Sequence, residues 1–283
     1  MMYNNAEYAS AYSAFLLEKT MNTILNETKA VILDMDGVLW KSNQPLCDLK
    51  LLFQSFTEHH IQYLFATNNA LRTVNQYIEK FHTFGVTVEE WQILTSSIAT
   101  GYLLAKDFPN GGAVHIMGSK ALEATLLEYN FTSTDENPIA VVGGLDMDVS
   151  YERIAKASLF IQAGIPFYFT NPDATYPTPQ GFLPGAGTFL ATLETASGVR
   201  AKIAGKPQPF VFEAGLQRLG IKACEALVVG DRLETDILGG FRAGCKTALV
   251  LTGVASREDL KTWKPSPDLV LDNIINLFDD TDG

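Results

Sequence analysis

The stretch Val31-Ile32-Leu33-Asp34-Met35-Asp36-Gly37-Val38-Leu39 is an apolar run that leads directly into two carboxylates one residue apart. Its aliphatic and β-branched residues predict a buried strand. A buried strand that ends in acidic residues places them at the carboxyl edge of a sheet, where open α/β folds bind ligands. Gly37 then allows the backbone to turn sharply. This stretch therefore predicts both an α/β fold and the position of its polar site.

Short apolar runs alternate with longer amphipathic ones from Ala30 onward, which is typical of βα units and of a parallel sheet. We expect an α/β fold with a Rossmann-like parallel-sheet core. The predicted helices include Val74–Phe84, Pro209–Leu219 and Glu234–Ala243. The predicted core strands are Ala30–Leu33, Ile61–Ala66, Gln92–Thr95, Ala201–Ala204, Ala226–Val229, Thr247–Leu251 and Asp268–Leu271.

A second alternating series, with strands such as Ala113–Met117 and Pro166–Thr170, interrupts the core strands. It is longer than a crossover needs, and it therefore predicts an inserted α/β cap domain. The predicted domains are an N-terminal extension over 1–29, a core over 30–98 and 203–283, and a cap over 99–202. In the extension, the spacing of Tyr8, Tyr12 and Phe15 fits an additional amphipathic helix, and a start of the chain at Met21 is the equal alternative.

Polar residues also follow three other predicted strands, in Thr67-Asn68-Asn69, Gly205-Lys206-Pro207 and Gly230-Asp231-Arg232. If these strands are neighbours in one sheet, their polar side chains converge with Asp34 and Asp36 on one crevice. Asp236 lies five residues beyond Asp231, at the start of the next predicted helix. The sequence therefore predicts one site built from several strand ends.

These residue types suit phosphoryl transfer, because a phosphate dianion approaches a carboxylate nucleophile only where cations and hydrogen-bond donors offset the repulsion. Asp34 and Asp231, with the backbone carbonyl of Asp36, would suit Mg²⁺. Lys206 would supply a second positive charge, and Thr67 and Asn68 would supply neutral donors.

Two carboxylates one residue apart can divide the chemistry between them. Asp34 would attack phosphorus and form an aspartyl phosphate. Asp36 would protonate the leaving group and then deprotonate the hydrolytic water. The first carboxylate is therefore the predicted nucleophile and the second the predicted general acid and base.

The motifs D-x-D-G-V, T-N-N, G-K-P and G-D-x-x-x-T-D occur here in the order that resembles the haloacid dehalogenase superfamily of hydrolases. The long insertion, with Thr170-Asn171-Pro172-Asp173 and Pro184-Gly185-Ala186-Gly187, is similar to the subfamily of nucleotide and 4-nitrophenyl phosphatases with a large α/β cap. The resemblance covers roughly Lys29 to the C-terminus.

The resemblance implies a role for each motif residue: Asp34 is the nucleophile, Asp36 the acid and base, and Thr67 and Lys206 stabilise the phosphate. It also implies that Asp231 is a metal ligand and that Asp236 supports the metal shell or Lys206. Relatives of this kind act on nucleotides, phosphoglycolate, pyridoxal phosphate, or sugar and glycerol phosphates. The family therefore defines the reaction better than the substrate.

Each of these residues also has a simpler interpretation. Asp231 and Asp236 are suited to capping a helix, and either Asn68 or Asn69 serves only the turn. We expect Asn68 to contact the phosphate. In the cap, Asn171 and Asp173 follow an apolar strand, and we expect them to contact the substrate, although a plain turn explains them equally well.

Composition excludes some classes of function. A formal net charge of −11, without clustered Lys and Arg, argues against nucleic-acid binding. No apolar run is long enough to span a bilayer, so no membrane partner is expected. Three dispersed cysteines suit a reducing cytoplasm. We expect a small phosphorylated metabolite as the partner and consider a homodimer through the cap.

Two other functions use similar residues. A phosphotransferase or phosphomutase would pass the phosphate from Asp34 to a sugar hydroxyl instead of water. A phospho-acceptor switch would use the aspartyl phosphate as a signal, but it would need neither a leaving-group acid such as Asp36 nor a cap. Hydrolysis is the main prediction, and phosphotransfer is its alternative.

Overall fold

The computed structural model describes residues 21–178 and 180–278. The amphipathic helix predicted around Tyr8 lies outside the described residues, and residues 21–26 are helical. Within the described ranges, no helix combines the length and the apolar character that crossing a membrane requires. The strands are β1 Ala30–Leu33, β2 Trp40–Lys41, β3 Gln44–Pro45, β4 Gln62–Thr67, β5 Ile93–Thr95, β6 Gly112–Met117, β7 Phe131–Ser133, β8 Val141–Gly143, β9 Phe167–Phe169, β10 Thr175–Thr178, β11 Gly181–Pro184, β12 Lys202–Ile203, β13 Ala226–Gly230, β14 Lys246–Val250 and β15 Leu269–Leu271.

The longer segments between strands are mostly helical, and several of their starts carry side-chain caps. Thr73 and Gln76, for example, form a reciprocal capping box at the start of the second helix. The predicted helices Val74–Phe84 and Pro209–Leu219 are therefore confirmed to within one residue at each end. The α-helices are α1 Leu49–Glu58, α2 Val74–Thr83, α3 Ser96–Asp107, α4 Lys120–Glu128, α5 Tyr151–Gln162, α6 Ala186–Ser197, α7 Phe210–Leu219 and α8 Leu238–Arg242.

Among the described residues, the first of two compact units contains residues 21–63 and 219–278. In it, β1, β13, β14 and β15 pair in parallel, with Leu33 opposite Val229 and Val229 opposite Ala248. All residues of β1 and β13 are buried, as expected for strands of a parallel sheet that are covered on both faces. Because the partners are parallel, the residues that follow β1 and β13 leave the sheet at the same edge.

The second unit contains residues 64–218. Its largest sheet is fully parallel, with five strands in the order β12-β9-β8-β6-β7. The helices α5 and α6 bury Ile161 and Leu193 in the same apolar cluster as Phe167 and Phe169 of this sheet. Strands β4 and β5 also pair in parallel here, with Phe65 opposite Ile93. The predicted α/β class is confirmed, and the predicted cap boundaries stay a prediction.

The strand that precedes Lys206 differs from the sequence prediction. The sequence predicts that Ala201–Ala204 joins the core sheet, but β12 pairs with β9 of the five-stranded sheet, with Ile203 opposite Phe169. Two further backbone bonds, from Ala204 N to Phe169 O and from Gly205 N to Thr170 O, extend this pairing toward Lys206. A strand of two residues carries too little pattern for its sequence to specify its neighbour.

The helix predicted over Glu234–Ala243 is also irregular. Its first turn, Leu233–Ile237, is a π-helix, and only Leu238–Arg242 is α-helical. The carbonyl of Arg232 accepts hydrogen bonds from the N–H groups of both Asp236 and Ile237, at 3.1 and 3.2 Å. This wide first turn is a feature that hydrophobic periodicity does not predict.

A polar contact joins α3, β9 and β12 within the second unit. The hydroxyl of Tyr168, itself buried, donates to Asp107 Oδ2 at 2.5 Å, and Lys202 Nζ donates to the same oxygen at 2.8 Å. The hydrogen bond from Lys202, and then that from Tyr168, hold the pKa of Asp107 below its usual value. The lysine also offsets the unfavourable position of an acidic residue at a helix C-terminus.

Tyr168→Phe should lower the melting temperature at pH 7 by about 2–4 °C, because it removes one hydrogen bond to a carboxylate worth roughly 1 kcal/mol. Since the folded pKa of Asp107 is lowered, its contribution is present above the unfolded pKa of about 3.9 and is lost as the pH falls through the folded pKa. Calorimetry at several pH values should therefore show the difference shrinking below about pH 4.

Tyr151→Phe is the matched control, because Tyr151 is 84% exposed and its hydroxyl faces solvent. We expect no measurable change in its melting temperature. Equal melting temperatures of wild type and Tyr168→Phe at pH 7 would show that the Tyr168 contact does not stabilise the fold.

Candidate active site

Three carboxylates come together at the strand ends of the first unit. Oxygen atoms of Asp34, Asp231 and Asp236 all lie within 4.8 Å of one another. Asp34 directly follows β1 and Asp231 directly follows β13, and the Asp34 N–H donates to Val229 O at 2.8 Å. The three carboxylates are buried, although Asp34 as a whole residue retains some exposure.

This group of carboxylates fits a divalent cation. It offers only hard oxygen ligands, which Mg²⁺ prefers. Negative charges this close, on residues that are mostly withdrawn from water, repel one another strongly unless a cation lies among them. The geometry therefore supports Asp34, Asp231 and Asp236 as residues that could hold the metal.

Asp231 is held by a loop that follows β14. Its Oδ2 accepts a hydrogen bond from Val254 N at 2.8 Å. A Cβ atom added to Gly253 would lie 1.9 Å from that oxygen, and one added to Gly37 would lie 2.4 Å from it. Glycine is therefore the only residue at position 253 that leaves the Asp231 carboxylate where it is.

Asp236 is held in a similar way. Its Oδ2 accepts from Arg232 N at 3.1 Å, inside the π-helical turn. A Cβ atom added to Gly230 would lie 2.1 Å from the Cβ atom of Asp236. The wide turn and the missing side chain at Gly230 together bring Asp236 close to the end of β13.

Asp36 has a different environment, although it lies only two residues from Asp34. The indole N–H of Trp40, which is fully buried, donates to Asp36 Oδ1 at 3.0 Å. The intervening Gly37 has a φ of +94°, and its carbonyl accepts from the Thr252 hydroxyl at 2.5 Å. Asp36 is thus oriented by an aromatic donor and separated from the carboxylate group that could hold the metal.

The second unit contains the other predicted site residues. Thr67, which is buried, ends β4, and its Oγ1 accepts from Asn69 N at 3.1 Å. Lys206 is only 3% exposed, and its ammonium group donates to Ala66 O at 3.0 Å. Asn69 Oδ1 accepts from Leu71 N, so the Asn69 side chain stabilises the turn after β4.

Asn68, Asn171 and Asp173 are connected to one another. The side-chain amide of Asn68 donates to Asp173 Oδ2 at 2.7 Å, and that of Asn171 donates to the same oxygen at 2.6 Å. Asn68 also exchanges two hydrogen bonds with the backbone of Lys206. The structure therefore joins residues for which the sequence predicts separate contacts with the substrate.

Sequence reasoning missed Trp40, Gly253 and the Val254 amide. A signal for the last two was present, since Thr252-Gly253 follows the apolar strand β14 in the same way that the recognised motifs follow their strands. No comparable signal marks Trp40, whose indole reaches back over a short turn. The roles predicted for the individual motif residues stay predictions.

Comparison with known families gives matches to both ends of the chain. Residues 31–132 match the family model described as haloacid dehalogenase-like hydrolase, and residues 203–277 match a second model described as HAD-hydrolase-like. The two matched segments contain all the carboxylates of the group described above. The family resemblance that the four motifs predict is therefore confirmed.

Similar proteins match over nearly the whole chain. A 5′-nucleotidase of Bacillus subtilis is 32% identical, over 87% of this chain and 96% of its own. An acid sugar phosphatase of Staphylococcus epidermidis is 31% identical, over 84% and 92%.

Solved structures of other proteins also resemble this chain over most of its length. A 4-nitrophenylphosphatase from Thermotoga maritima has a TM-score of 0.84 and 31% identity, over 89% of this chain and 96% of its own. A glycerol phosphate phosphatase from Mycobacterium tuberculosis, in complex with magnesium, has a TM-score of 0.83 and 34% identity, over 90% and 77%.

Gly253→Ala should displace the Asp231 carboxylate, because the added methyl group would overlap its Oδ2. We expect the affinity for Mg²⁺ to fall by about 10–100-fold, as is common when the support of a metal ligand is lost. The measurement is the rise in melting temperature on titration with Mg²⁺, which needs no substrate.

Val254→Ala is the matched control in the same loop. Its side chain is 53% exposed, and the substitution keeps the backbone N–H that donates to Asp231. We expect a Mg²⁺ titration like that of wild type. An unchanged titration for Gly253→Ala would contradict the role given to this glycine.

Proposed function

Because the chain belongs to the haloacid dehalogenase-like hydrolase family, we propose that it is a magnesium-dependent phosphatase that hydrolyses small phosphomonoesters through an aspartyl phosphate on Asp34. One observation carries this proposal: carboxylate oxygens of Asp34, Asp231 and Asp236 lie within 4.8 Å of one another. Bound Mg²⁺ supplies positive charge that lets a phosphate dianion approach Asp34.

In the first step, an oxygen of Asp34 attacks phosphorus as the bond from phosphorus to the ester oxygen breaks. Asp36 transfers its proton to the departing oxygen, so that an alcohol leaves. In the second step, Asp36 takes a proton from water, which attacks the aspartyl phosphate and releases inorganic phosphate while Asp34 is regenerated. Atoms and protons balance over the cycle, and only water is consumed.

The surroundings of Asp36 support its part in this cycle. The buried Trp40 indole holds its Oδ1 in one orientation, and such orientation matters because proton transfer requires the donor and acceptor to be in hydrogen-bond reach. Asp36 is not one of the three carboxylates that could hold the metal, and in this proposal it carries the proton instead.

Lys206 and Thr67 supply the remaining charge and donors in this proposal. A lysine that is 3% exposed loses most of its hydration, so its attraction for a phosphate oxygen is stronger than that of a surface lysine. The Thr67 oxygen accepts from Asn69 N, and a hydroxyl that accepts one hydrogen bond can also donate one, here to a phosphate oxygen. Asp231 and Asp236 serve as metal ligand and support.

The substrate class is a small phosphomonoester. The similar proteins are named for nucleotides, sugar phosphates, glycerol phosphate and 4-nitrophenyl phosphate, which share only the phosphate ester. An inserted cap over 99–202, a homodimer through it, a cytoplasmic location and the absence of nucleic-acid partners complete the proposal.

Phosphotransfer is the second candidate function, since the aspartyl phosphate could also pass to an alcohol. Hydrolysis is favoured by the names of the similar proteins, which are phosphatases and a nucleotidase. The two reactions can be distinguished by adding glycerol and comparing the inorganic phosphate released with the alcohol that leaves the substrate. A transferase would release less inorganic phosphate than alcohol, because it would form glycerol phosphate instead.

Wild type should release phosphate from a panel of 4-nitrophenyl phosphate, nucleoside monophosphates, glycerol phosphate and sugar phosphates. Chelation of Mg²⁺ should abolish the release, and Asp34→Asn should lower it by at least about 10³-fold, because an amide is not a nucleophile here. Phosphate release by Asp34→Asn at the wild-type rate would contradict the covalent mechanism.

Asp36→Asn should affect substrates unequally. Its kcat/KM reports formation of the aspartyl phosphate, and general-acid catalysis is worth about 10²–10⁴-fold where the leaving group is a poor one. We expect a loss of that size for glycerol phosphate and a smaller one for 4-nitrophenyl phosphate, whose leaving group needs no proton. Equal losses for both esters would show that Asp36 is not the general acid.

A further inference from the structure

Asn68 lies at the centre of a chain of hydrogen bonds in the second unit. The Thr170 hydroxyl donates to Asn171 Oδ1 at 2.8 Å, and Asn171 donates to Asp173. Asp173 also accepts from Asn68, which bonds in turn to the backbone of Lys206. We propose that Asn68 and Asp173 are positioning residues, whose side chains hold the backbone of Lys206 in place and do not contact the phosphate.

The first support is the hydrogen-bond capacity of Asn68. An asparagine amide has two hydrogens to donate. One is donated to Asp173 Oδ2 at 2.7 Å and the other to Lys206 O at 2.9 Å, while Asn68 Oδ1 accepts from Lys206 N at 2.8 Å. To donate to a phosphate, Asn68 would have to give up a charged acceptor or a backbone carbonyl. The sequence predicts a phosphate contact here, but these bonds favour a supporting role.

The second support is the way Asp173 is held. Its Oδ2 accepts from Asn68 and from Asn171, and both bonds are to a carboxylate, which makes them stronger than bonds between neutral groups. Thr170 is fully buried and Asn171 is 5% exposed. The carboxylate is therefore fixed from one side by a buried pair and from the other by Asn68.

The third support is the close fit of the backbone before Lys206. Gly205 N donates to Thr170 O at 2.6 Å. A Cβ atom on Gly205 would lie 2.5 Å from Thr170 O and 2.6 Å from Asn68 Oδ1. The backbone of Lys206 is thus held between the segment after β4 and the segment after β9.

This arrangement matters for Lys206 because its ammonium group is at the end of four flexible methylene groups. When both backbone groups of Lys206 are bonded to one side chain, the base of that long chain has a defined position. The inference depends on the proposed phosphatase function, in which Lys206 stabilises the phosphate. If Asn68 and Asp173 together hold the Lys206 backbone, exchanging the amide and the carboxylate between the two positions should test it.

The experiment compares Asn68→Asp, Asp173→Asn and the double variant that carries both. Asn68→Asp places one carboxylate against another and against Lys206 O, so we expect kcat for 4-nitrophenyl phosphate to fall by about 100-fold, the loss that a small misplacement can cause. Asp173→Asn keeps an acceptor oxygen and should lose less than about 10-fold. In the double variant, the amide introduced at position 173 can donate to the carboxylate introduced at position 68, and kcat should recover at least about 10-fold over Asn68→Asp.

Asn69→Asp is the matched control, since it adds the same charge one position away, where Oδ1 accepts from Leu71 N. Adding Asp173→Asn to it should give no recovery. If Asn68 contacted the phosphate, a carboxylate at position 68 would repel the substrate whatever residue stood at position 173. A double variant as slow as Asn68→Asp, in an active wild type, would therefore overturn this inference alone.

Asn68→Asp could fail to fold, which a melting curve would show. In that case the comparison of Asp173→Ala with Asp173→Asn tests the inference. If Asp173 is a positioning residue, Asp173→Ala should lower kcat about 10-fold with little change in KM, and Asp173→Asn should have a kcat close to that of wild type. A raised KM with unchanged kcat in Asp173→Ala would show direct contact with substrate and overturn the inference. A wild type inactive on every ester would instead overturn the proposed function.

Discussion

Mutual repulsion among three carboxylates is the constraint on which the rest of the site depends. Asp34, Asp231 and Asp236 have oxygens within 4.8 Å of one another, and two of these residues are buried. Such an arrangement is unfavourable by itself. The fold tolerates it because backbone N–H groups at Arg232 and Val254 donate to two of the carboxylates. Three glycines, at positions 37, 230 and 253, leave the carboxylates the space they occupy.

The same constraint gives the neighbouring carboxylates different tasks. Asp36 points to a buried indole and stands apart from the group, although only one residue separates it from Asp34. A carboxylate that holds a cation must stay ionised, whereas one that acts as an acid and base must gain and lose a proton, so the two need different surroundings. The sharp turn at Gly37 provides them, since it lets Trp40 reach back to Asp36.

Local pattern predicted most of the fold, and it predicted the candidate residues that follow strands. The predicted strand Ala30–Leu33 is confirmed at both ends, and the predicted strand Ala226–Val229 extends one residue further, to Gly230. Both strands are continuous apolar runs, which have few alternative structures. Pattern failed for β12, whose two residues pair with β9 through non-local bonds. It also could not show how the Asn68 amide distributes its hydrogen bonds, since its partners lie 105 and 138 residues away along the chain. The residue type was visible in the sequence, but its partners were not.

The pairing of β1 with β13 has a consequence for synthesis on the ribosome. Ala30 is among the first described residues, and its partner Ala226 is made only after the whole of the second unit, which is the continuous segment 64–218. That unit contains all of its own chain before β13 exists, so it can complete its sheet first. Strand β1, which is apolar and fully buried in the finished protein, must wait without this neighbour. Until β13 is made, β1 presents an unpaired edge of the kind that can pair with another chain.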